Sequence, residues 1–245
     1  RGRQIRKAFI PRDENHVILA ADYSQVELRI IAALSGDQGM IEAFKNGLDI
    51  HAATAAKVFN VALEDVTRDQ RSKAKAVNFG IAYGQGAFGL AENLNISRTE
   101  AKEIIDNYFK EFPGIQDYKH IAIESAREKG YAETLLNRRR NLPDINSRNG
   151  SVKAAAERNA INAPIQGSAA DIIKLAMINI HELFKKEGFK SKMLLQVHDE
   201  LVFDAEKTEL EKIIPLIKKE MESAYIIDVP LVVDINYGNN WLEAH

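Results

Sequence analysis

Two acidic residues far apart in the sequence stand where apolar runs end. Asp22 follows the apolar run of residues 17–21. Asp199 separates the β-prone runs 193–197 and 201–203. If folding brings the two carboxylates together, they favour a hard, oxygen-seeking cation such as Mg²⁺, because no thiolate or histidine cluster accompanies them. The alternative is that each aspartate is an ordinary turn or cap residue.

Four residues spaced four apart form a second candidate site. They are two cations followed by two aromatic residues, Arg71, Lys75, Phe79 and Tyr83. In an α-helix each step of four residues advances only about 40°, so all of them share one face. This order suits a ligand that carries phosphates at one end and a planar ring at the other. The alternative is an amphipathic helix with its aromatic residues in the core and its cations in water.

A third set of polar residues, also spaced four apart, consists of Arg158, Asn162 and Gln166. These side chains can donate hydrogen bonds to the acceptors of a DNA minor groove, which are nearly the same for every base pair. An enzyme that acts on any DNA sequence needs such contacts. Polar residues with this spacing are also common on ordinary helix surfaces, so the set by itself leaves both interpretations open.

The composition is that of a folded protein without thiol chemistry. Of 245 residues, 45% are hydrophobic and 28% are charged, which provides enough apolar surface to offset the entropy lost on ordering. The absence of cysteine excludes disulfides, thiolate metal sites and thiol nucleophiles. The apolar runs are far shorter than the roughly 18 residues of a membrane span. The sequence opens with Arg1 and has no signal peptide, which indicates a piece of a longer protein.

The formal net charge of −2 conceals an uneven distribution. Residues 199–245 are net acidic and residues 1–198 are net basic. Basic residues cluster further in the segments 1–12, 68–83 and 138–140. Such clusters on a near-neutral protein are typical of a polyanion-binding surface. An ordinary solvated face is the alternative.

The spacing of apolar residues predicts strands near both ends of the chain and helices between them. Ser97 and Glu100 resemble a capping box, Pro164 predicts a kink, and segment 193–203 predicts a tight hairpin. Because the strands are distant in sequence, they predict an α+β fold whose sheet is interrupted by a helical insertion. The predicted strands are 17–22, 131–136, 193–197, 201–203 and 231–235, and the predicted helices are 25–34, 52–59, 68–83, 101–112, 115–129, 151–184 and 206–224.

Three segments resemble the motifs of one polymerase family. Residues 22–29 (DYSQVELR) resemble its first motif, residues 71–84 its second and residues 197–200 (VHDE) its third. The motifs occur in the family's order, and the likeness covers essentially the whole chain. The sequence therefore resembles the palm and fingers of A-family DNA polymerases, the family of bacterial DNA polymerase I. The resemblance implies a right-hand α+β fold with an antiparallel-sheet palm and helical fingers, lacking the thumb.

The resemblance also implies a DNA-directed DNA polymerase that uses two Mg²⁺ ions. Asp22 and Asp199 would hold the ions, with the backbone carbonyl of Tyr23 as a further ligand. Glu200 would be an auxiliary acid beside them. One ion would lower the pKa of the primer 3′-hydroxyl, and the other would stabilise the triphosphate and the leaving pyrophosphate.

The incoming deoxynucleoside triphosphate (dNTP) is implied to bind along the second motif. Arg71, Lys75 and His51 would contact its triphosphate, and Lys75 would also protonate the leaving group. The catalytic residues implied by the family are therefore Asp22, Asp199, Glu200 and Lys75.

Other residues are implied to contact the sugar, the base and the DNA. Phe79 would pack on the sugar and base, and Tyr83 would line the pocket of the nascent base pair. Glu27 would exclude the ribose 2′-hydroxyl, and Gln25 is a further substrate-binding candidate. The residues implied to bind the primer-template are Arg158, Asn162, Gln166 and His198.

The resemblance divides the chain into palm and fingers. Residues 1–34 and 155–245 would form the palm, with the catalytic hairpin near 193–204, and residues 35–154 would form the fingers. Primer-template DNA and dNTPs are the expected partners of a monomer in the bacterial cytoplasm, with no membrane partner. The thumb and any exonuclease domain are expected upstream of Arg1.

Two other functions remain open at this point. A single-subunit RNA polymerase has a related architecture, although Glu27 within an A-family motif argues against it. A DNA- or nucleotide-binding fragment without turnover is the other alternative, because the thumb's grip on the duplex is missing. Extension with dNTPs or with ribonucleotides distinguishes these functions.

Overall fold

A computed structural model describes residues 2–245. The chain folds into two compact units. The sheet unit combines the N-terminal residues up to Val26 with Ala169–His245. The helical unit is Glu27–Ser168. The assignment of palm and fingers, with boundaries after residues 34 and 154, stays a prediction. Within residues 2–245, no helix is long and apolar enough to cross a membrane.

The predicted combination of helices with an antiparallel sheet is confirmed. The strands are β1 His16–Tyr23, β2 Tyr131–Glu133, β3 Arg139–Asn141, β4 Lys192–Val197, β5 Glu200–Glu206 and β6 Val233–Gly238. The α-helices are α1 Val26–Ser35, α2 Gln38–Lys45, α3 Ile50–Val58, α4 Arg68–Ala82, α5 Ala87–Leu94, α6 Arg98–Glu111, α7 Pro113–Lys129, α8 Gly150–Glu187, α9 Leu210–Glu222 and α10 Trp241–Ala244. Short 3₁₀ segments cover Gly2–Ala8, Leu63–Asp65 and Lys207–Glu209.

The sheet unit is built on four antiparallel strands in the order β4-β5-β1-β6. Strand β1 lies between β5 and β6, and its side chains are almost all buried. Residues from the two ends of the chain therefore pair side by side, as the sequence predicts. In this register Asp22 lies opposite Glu200.

A small apolar cluster fixes the end of the chain against this sheet. Ile18, Ala20 and Val202 pack with Trp241 and Ala244 of α10. The backbone amide of Trp241 also donates to the carbonyl of residue 9 at 3.0 Å. Burial of a tryptophan side chain contributes on the order of 3 kcal/mol to stability. This burial holds α10 against the sheet although the helix has only four residues.

In the helical unit, α4 packs against α3 and carries the row of cations and aromatic residues. Its inner face buries Ala74, Val77 and Ile81, while Arg71 and Lys75 are exposed. The helix ends at Tyr83, its C-cap, and Gly84 follows with φ +78°. A left-handed residue at this position is the usual stop of an α-helix, and glycine adopts it without strain.

Several boundaries differ from the sequence-based expectation. The reciprocal capping box lies at Thr67 and Gln70, where each side chain bonds the other's backbone amide. Ser97, predicted to form such a box, accepts a bond from the amide of Glu100. Further differences are a shorter strand, Tyr131–Glu133, a last strand at Val233–Gly238 and a 3₁₀ start at Lys207–Glu209 before α9. The long helix predicted through Pro164 is present as α8, and the predicted kink at this proline stays a prediction.

The Thr67 cap generates a prediction about stability. Thr67→Ala removes the acceptor for the amide of Gln70 and should lower the free energy of unfolding by about 1 kcal/mol. Thr67→Ser keeps the hydroxyl and should stay close to the wild type. Urea unfolding monitored by circular dichroism measures both. Equal losses in the two variants would show that the hydroxyl does not cap α4.

Candidate functional site

The sheet unit brings the two predicted acidic residues to adjoining strand ends. Asp22 lies near the end of β1, and Asp199 lies in the turn between β4 and β5. The backbone amide of Tyr23 donates to the carbonyl of Asp199 at 3.1 Å. His198, the other residue of this turn, adopts φ +56° and is exposed. The tight turn therefore sets Asp199 beside the end of β1.

The clustered negative charge changes the titration of Asp22. Burial raises the pKa of Asp22 to about 6, and the charges of Asp199 and Glu200 add to this increase. Asp234 acts in the same direction, whereas His245 opposes it. At neutral pH the folded protein therefore holds carboxylates that repel each other, and a bound cation would relieve this repulsion.

Glu200 is held by two residues that the sequence analysis did not identify. Glu200 is buried, with only 3% of its surface exposed. One carboxylate oxygen accepts a hydrogen bond from Trp241 Nε1 at 2.5 Å, and the other lies 2.5 Å from His245 Nδ1. The one signal that the sequence offers for Trp241 is that it is the only tryptophan of the chain. Both carboxylate oxygens of Glu200 are therefore bonded within the chain, and its role as an auxiliary acid stays a prediction.

The site fits a cation in part. Among residues 2–245, no group of three or more histidine, aspartate or glutamate side chains is arranged to hold a metal ion. The predicted ligand set has two such side chains, Asp22 and Asp199, and adds the carbonyl of Tyr23. The phenol of Tyr23 is buried and donates to the carbonyl of Met221 at 2.6 Å, so it is occupied elsewhere.

In the helical unit, the row on α4 lies on a partly exposed face. Arg71 Nε donates to Asp49 Oδ2 at 2.6 Å, and Lys75 is exposed. Phe79 and Tyr83 are half-buried, with ring centroids 6.1 Å apart. The two aromatic rings therefore retain open surface beside the cations, unlike a pair enclosed in a core.

Glu27 and Tyr83 are brought together although they are distant in sequence. The phenolic hydroxyl of Tyr83 donates to the Glu27 carboxylate. Glu27 lies in the first turn of α1, and Tyr83 caps the end of α4. Gln25, just before α1, adopts φ +55° and is half-buried in the sheet unit.

His51 lies beneath this row and is almost completely buried. Asn78 Nδ2 donates to its Nδ1 at 3.1 Å, and the ring of Phe79 lies 5.9 Å away between centroids. Burial lowers the pKa of His51 to about 4. Asp49 opposes this shift, while Arg71 and Lys75 reinforce it. His51 is therefore neutral at physiological pH.

The third predicted set follows one side of α8. Asn162 Nδ2 donates to the carbonyl of Tyr83 at 3.4 Å, which connects α8 to the end of α4. Arg158 and Gln166 are exposed. Gln166 lines a cavity of about 200 Å³ together with all three arginines of segment 138–140. The helical unit thus joins part of the predicted minor-groove set to a basic segment.

The family of the chain follows from its sequence over almost its full length. Residues 1–243 match the profile of DNA polymerase family A. The chain belongs to this family. The resemblance drawn from the three motifs is thereby confirmed.

Relatives of known name agree with this assignment. The chain is 53% identical over 243 residues to a DNA polymerase I of Geobacillus stearothermophilus. This match covers 99% of the chain and 28% of that protein. The chain is 50% identical over 243 residues to a DNA polymerase I of Bacillus subtilis, again covering 99% and 28%. This family A chain therefore spans about a quarter of the length of these relatives.

A solved structure has the same fold. The POL domain of Pol1 from M. smegmatis, in complex with DNA primer-template and dNTP, matches with a TM-score of 0.96 and 48% identity. The match covers 99% of this chain and 43% of that chain. The predicted α+β polymerase fold of family A is confirmed by this likeness.

The charge cluster around Asp22 generates a prediction that depends on pH. Its carboxyl titrates at 3.8 in the unfolded chain and at about 6 in the folded protein. The folded state therefore binds this proton more tightly, and the cost of ionising Asp22 grows as pH rises between these values. In EDTA, Asp22→Asn should raise the melting temperature at about pH 7.5, and the gain should shrink towards pH 4.

The exposed residue Asp228 provides the matched control. Asp228→Asn should leave the melting temperature close to that of the wild type at both pH values. A gain for Asp22→Asn that is the same at both pH values would contradict the proposed cause, because protonation already removes the charge at low pH.

Proposed function

We propose that the chain is a DNA-directed DNA polymerase module that transfers a nucleotide from a dNTP to a primer 3′-hydroxyl. The observation that carries this proposal is its likeness to a polymerase domain in complex with primer-template and dNTP, at 48% identity and a TM-score of 0.96. Because the chain covers 28% of its curated relatives, the activity of the whole proteins is proposed here and not transferred as a fact.

Asp22, Asp199 and the carbonyl of Tyr23 would hold two Mg²⁺ ions. These ions would supply activation of the primer 3′-hydroxyl and stabilisation of the leaving pyrophosphate. The raised pKa of Asp22 supports a site that favours a cation, since bringing these carboxylates together without one is costly. Glu200, bonded to Trp241 and His245, would contribute fixed negative charge beside them.

Arg71 and Lys75, the two cations on the same face of α4 as Phe79, would bind the triphosphate of the dNTP. Arg71 is paired with Asp49 in the absence of nucleotide. Partial burial acts to raise the pKa of Asp49, but the hydrogen bonds from Arg71 and from two backbone amides outweigh it and lower the pKa. A phosphate would therefore compete with an ionised Asp49 for Arg71. Lys75 would donate the proton to the leaving group.

Phe79 would pack on the sugar and base of the dNTP, and Tyr83 would line the pocket for the new base pair. Glu27 would exclude a ribose 2′-hydroxyl, and its bond from Tyr83 supports a fixed position for this carboxylate. Gln25 is proposed as a further substrate contact.

Arg158 and Gln166 would follow the minor groove of the primer-template, with Asn162 and His198 in support. Groove acceptors common to all base pairs suit an enzyme that copies any sequence. The arginines of segment 138–140 share a cavity with Gln166 and would add phosphate contacts, so DNA affinity would fall with salt.

The second candidate function is DNA or nucleotide binding without turnover. It is favoured by one observation, which is that the chain covers 43% of the polymerase domain it resembles. The residues proposed for chemistry would then bind their ligands without completing a grip on the duplex.

Primer extension with Mg²⁺ tests the two functions against each other. The wild type should give template-dependent product from dNTPs, and Asp199→Ala should lower the rate by roughly 100-fold or more, because metal binding contributes several kcal/mol to the transition state. DNA affinity should be retained in the variant. Asp228→Asn, remote from the site in sequence and exposed, is the control. A folded wild type that binds DNA and yields no product would establish the second function instead.

The ion pair of Asp49 and Arg71 generates a prediction about substrate affinity. Asp49→Asn keeps a side chain that can cap α3 but removes the charge that competes for Arg71. The KM for dNTP should fall by up to about fivefold, the scale of an exposed ion pair. Steady-state extension kinetics measure this change.

Asp69→Asn on α4 is the matched control, since Asp69 pairs with Lys73 and not with Arg71. Its KM should equal that of the wild type. If both variants lower KM alike, the effect is a general change of charge and not a release of Arg71.

A further inference from the structure

A chain of buried side-chain hydrogen bonds leads to His51. Thr54 Oγ1 donates to Asn78 Oδ1 at 3.1 Å, and Asn78 Nδ2 donates to His51 Nδ1 at 3.1 Å. Thr54 and Asn78 are 0% exposed, and His51 is 3% exposed. Thr54 and His51 belong to α3, and Asn78 belongs to α4. The bonds therefore connect the two helices through their buried faces.

The order of donors and acceptors along this chain is constrained. A buried amide that loses a partner costs about 1–3 kcal/mol, so Asn78 must use both its oxygen and its nitrogen. With the hydroxyl of Thr54 bonded to Oδ1, the amide nitrogen faces the imidazole. A ring nitrogen that accepts a hydrogen bond carries no proton. In this orientation of the Asn78 amide, His51 Nδ1 is the unprotonated nitrogen.

The other ring nitrogen is the one open to a ligand. Nε2 of His51 has no bond within residues 2–245, yet it is not one of their fully buried polar atoms that lack a partner. The charged side chains facing the ring are Asp49, Arg71 and Lys75. Burial and the two cations keep the imidazole neutral. A neutral ring has one proton, and the bond from Asn78 places it on Nε2.

We propose that Asn78, oriented by Thr54, is a positioning residue that holds His51 as the Nε2–H tautomer, so that His51 offers the nucleotide phosphates an uncharged hydrogen-bond donor. This inference rests on the proposed function for its ligand. Arg71 and Lys75 would supply the charge that attracts the triphosphate, and His51 would supply direction. Phe79, whose ring lies against His51, would keep the imidazole plane in place.

The reverse arrangement has the opposite consequence. If the Asn78 amide were turned over, Nδ2 would donate to Thr54 and Oδ1 would accept a proton from His51 Nδ1. Nε2 would then be a bare acceptor and would repel a phosphate oxygen. The two arrangements differ in one observable, which is the ring nitrogen that carries the proton.

Nitrogen NMR of the chain labelled with ¹⁵N-histidine measures this directly, without substrate. Long-range proton–nitrogen correlation near neutral pH should show a pyridine-like Nδ1 and a pyrrole-like Nε2 for His51, assigned by the signals that disappear in His51→Asn. The opposite pattern in the wild type would overturn the proposal. This measurement does not depend on polymerase activity, so it succeeds or fails independently of the proposed function.

Variants of the relay extend the test. Asn78→Asp replaces the donor by an acceptor and should move the proton to Nδ1. Thr54→Val frees the amide and should produce a mixture of tautomers, whereas Thr54→Ser should restore the wild-type spectrum. Thr99→Val, at an exposed threonine of α6, is the matched control. An unchanged His51 spectrum in both Asn78→Asp and Thr54→Val, with each folded, would overturn the role of the relay.

Kinetics provide the second readout. If His51 donates to the triphosphate, Thr54→Val should raise the KM for dNTP by roughly three- to tenfold, as expected for one hydrogen bond, with a smaller change in kcat. Thr54→Ser should restore the KM. A tautomer shift in Thr54→Val without any change in the KM for dNTP would contradict the contact with phosphate. A wild-type chain without extension activity would refute the proposed function and leave the NMR result intact.

Discussion

The antiparallel pairing of β1 with β5 is the constraint on which the acidic site depends. This register sets Asp22 opposite Glu200, and the adjoining turn sets Asp199 beside the amide of Tyr23. Side chains alternate between the faces of a sheet, so a slip of one residue would turn Asp22 to the other face. Ile18, Ala20 and Val202 oppose such a slip, because it would turn them away from Trp241 and Ala244, against which they pack. The apolar core of the sheet unit thus determines where its carboxylates meet.

The same arrangement opposes stability at neutral pH. Burial and neighbouring charge raise the pKa of Asp22 to about 6, which means that its ionised form is disfavoured in the folded state. The neighbouring Glu200 carboxylate is bonded by Trp241 and His245. Trp241 also packs into the apolar cluster over Ile18 and Val202, so one side chain contributes both to the core and to the acidic site. A functional cluster is often retained at such a cost and is stabilised by its ligand.

In the helical unit, the groups proposed to attract a nucleotide and the group proposed to orient it lie at different depths of the helix pair α3 and α4. Arg71 and Lys75 lie at the surface, where solvent stabilises their charge, and Arg71 is already paired with Asp49. His51 lies below them, where burial keeps it neutral and where Asn78 can orient it. A buried neutral donor avoids the desolvation cost of a buried cation. This division of roles follows from burial, which differs sharply between side chains of otherwise similar polarity.

The sequence by itself determined the helices and strands whose residue patterns are local. The tertiary structure decided which side chains bond each other. The helix of Arg71, Lys75 and Phe79 and the strand ending near Asp22 follow from apolar spacing and stop signals, and the motifs supplied the acidic, basic and aromatic candidates. No local pattern indicates that Glu200 bonds Trp241 and His245, that Asp49 holds Arg71, or that Asn78 orients His51. Those partners are distant along the chain and meet through strand register and helix packing. A period of two or 3.6 residues specifies which face a side chain occupies, but not what lies across from it.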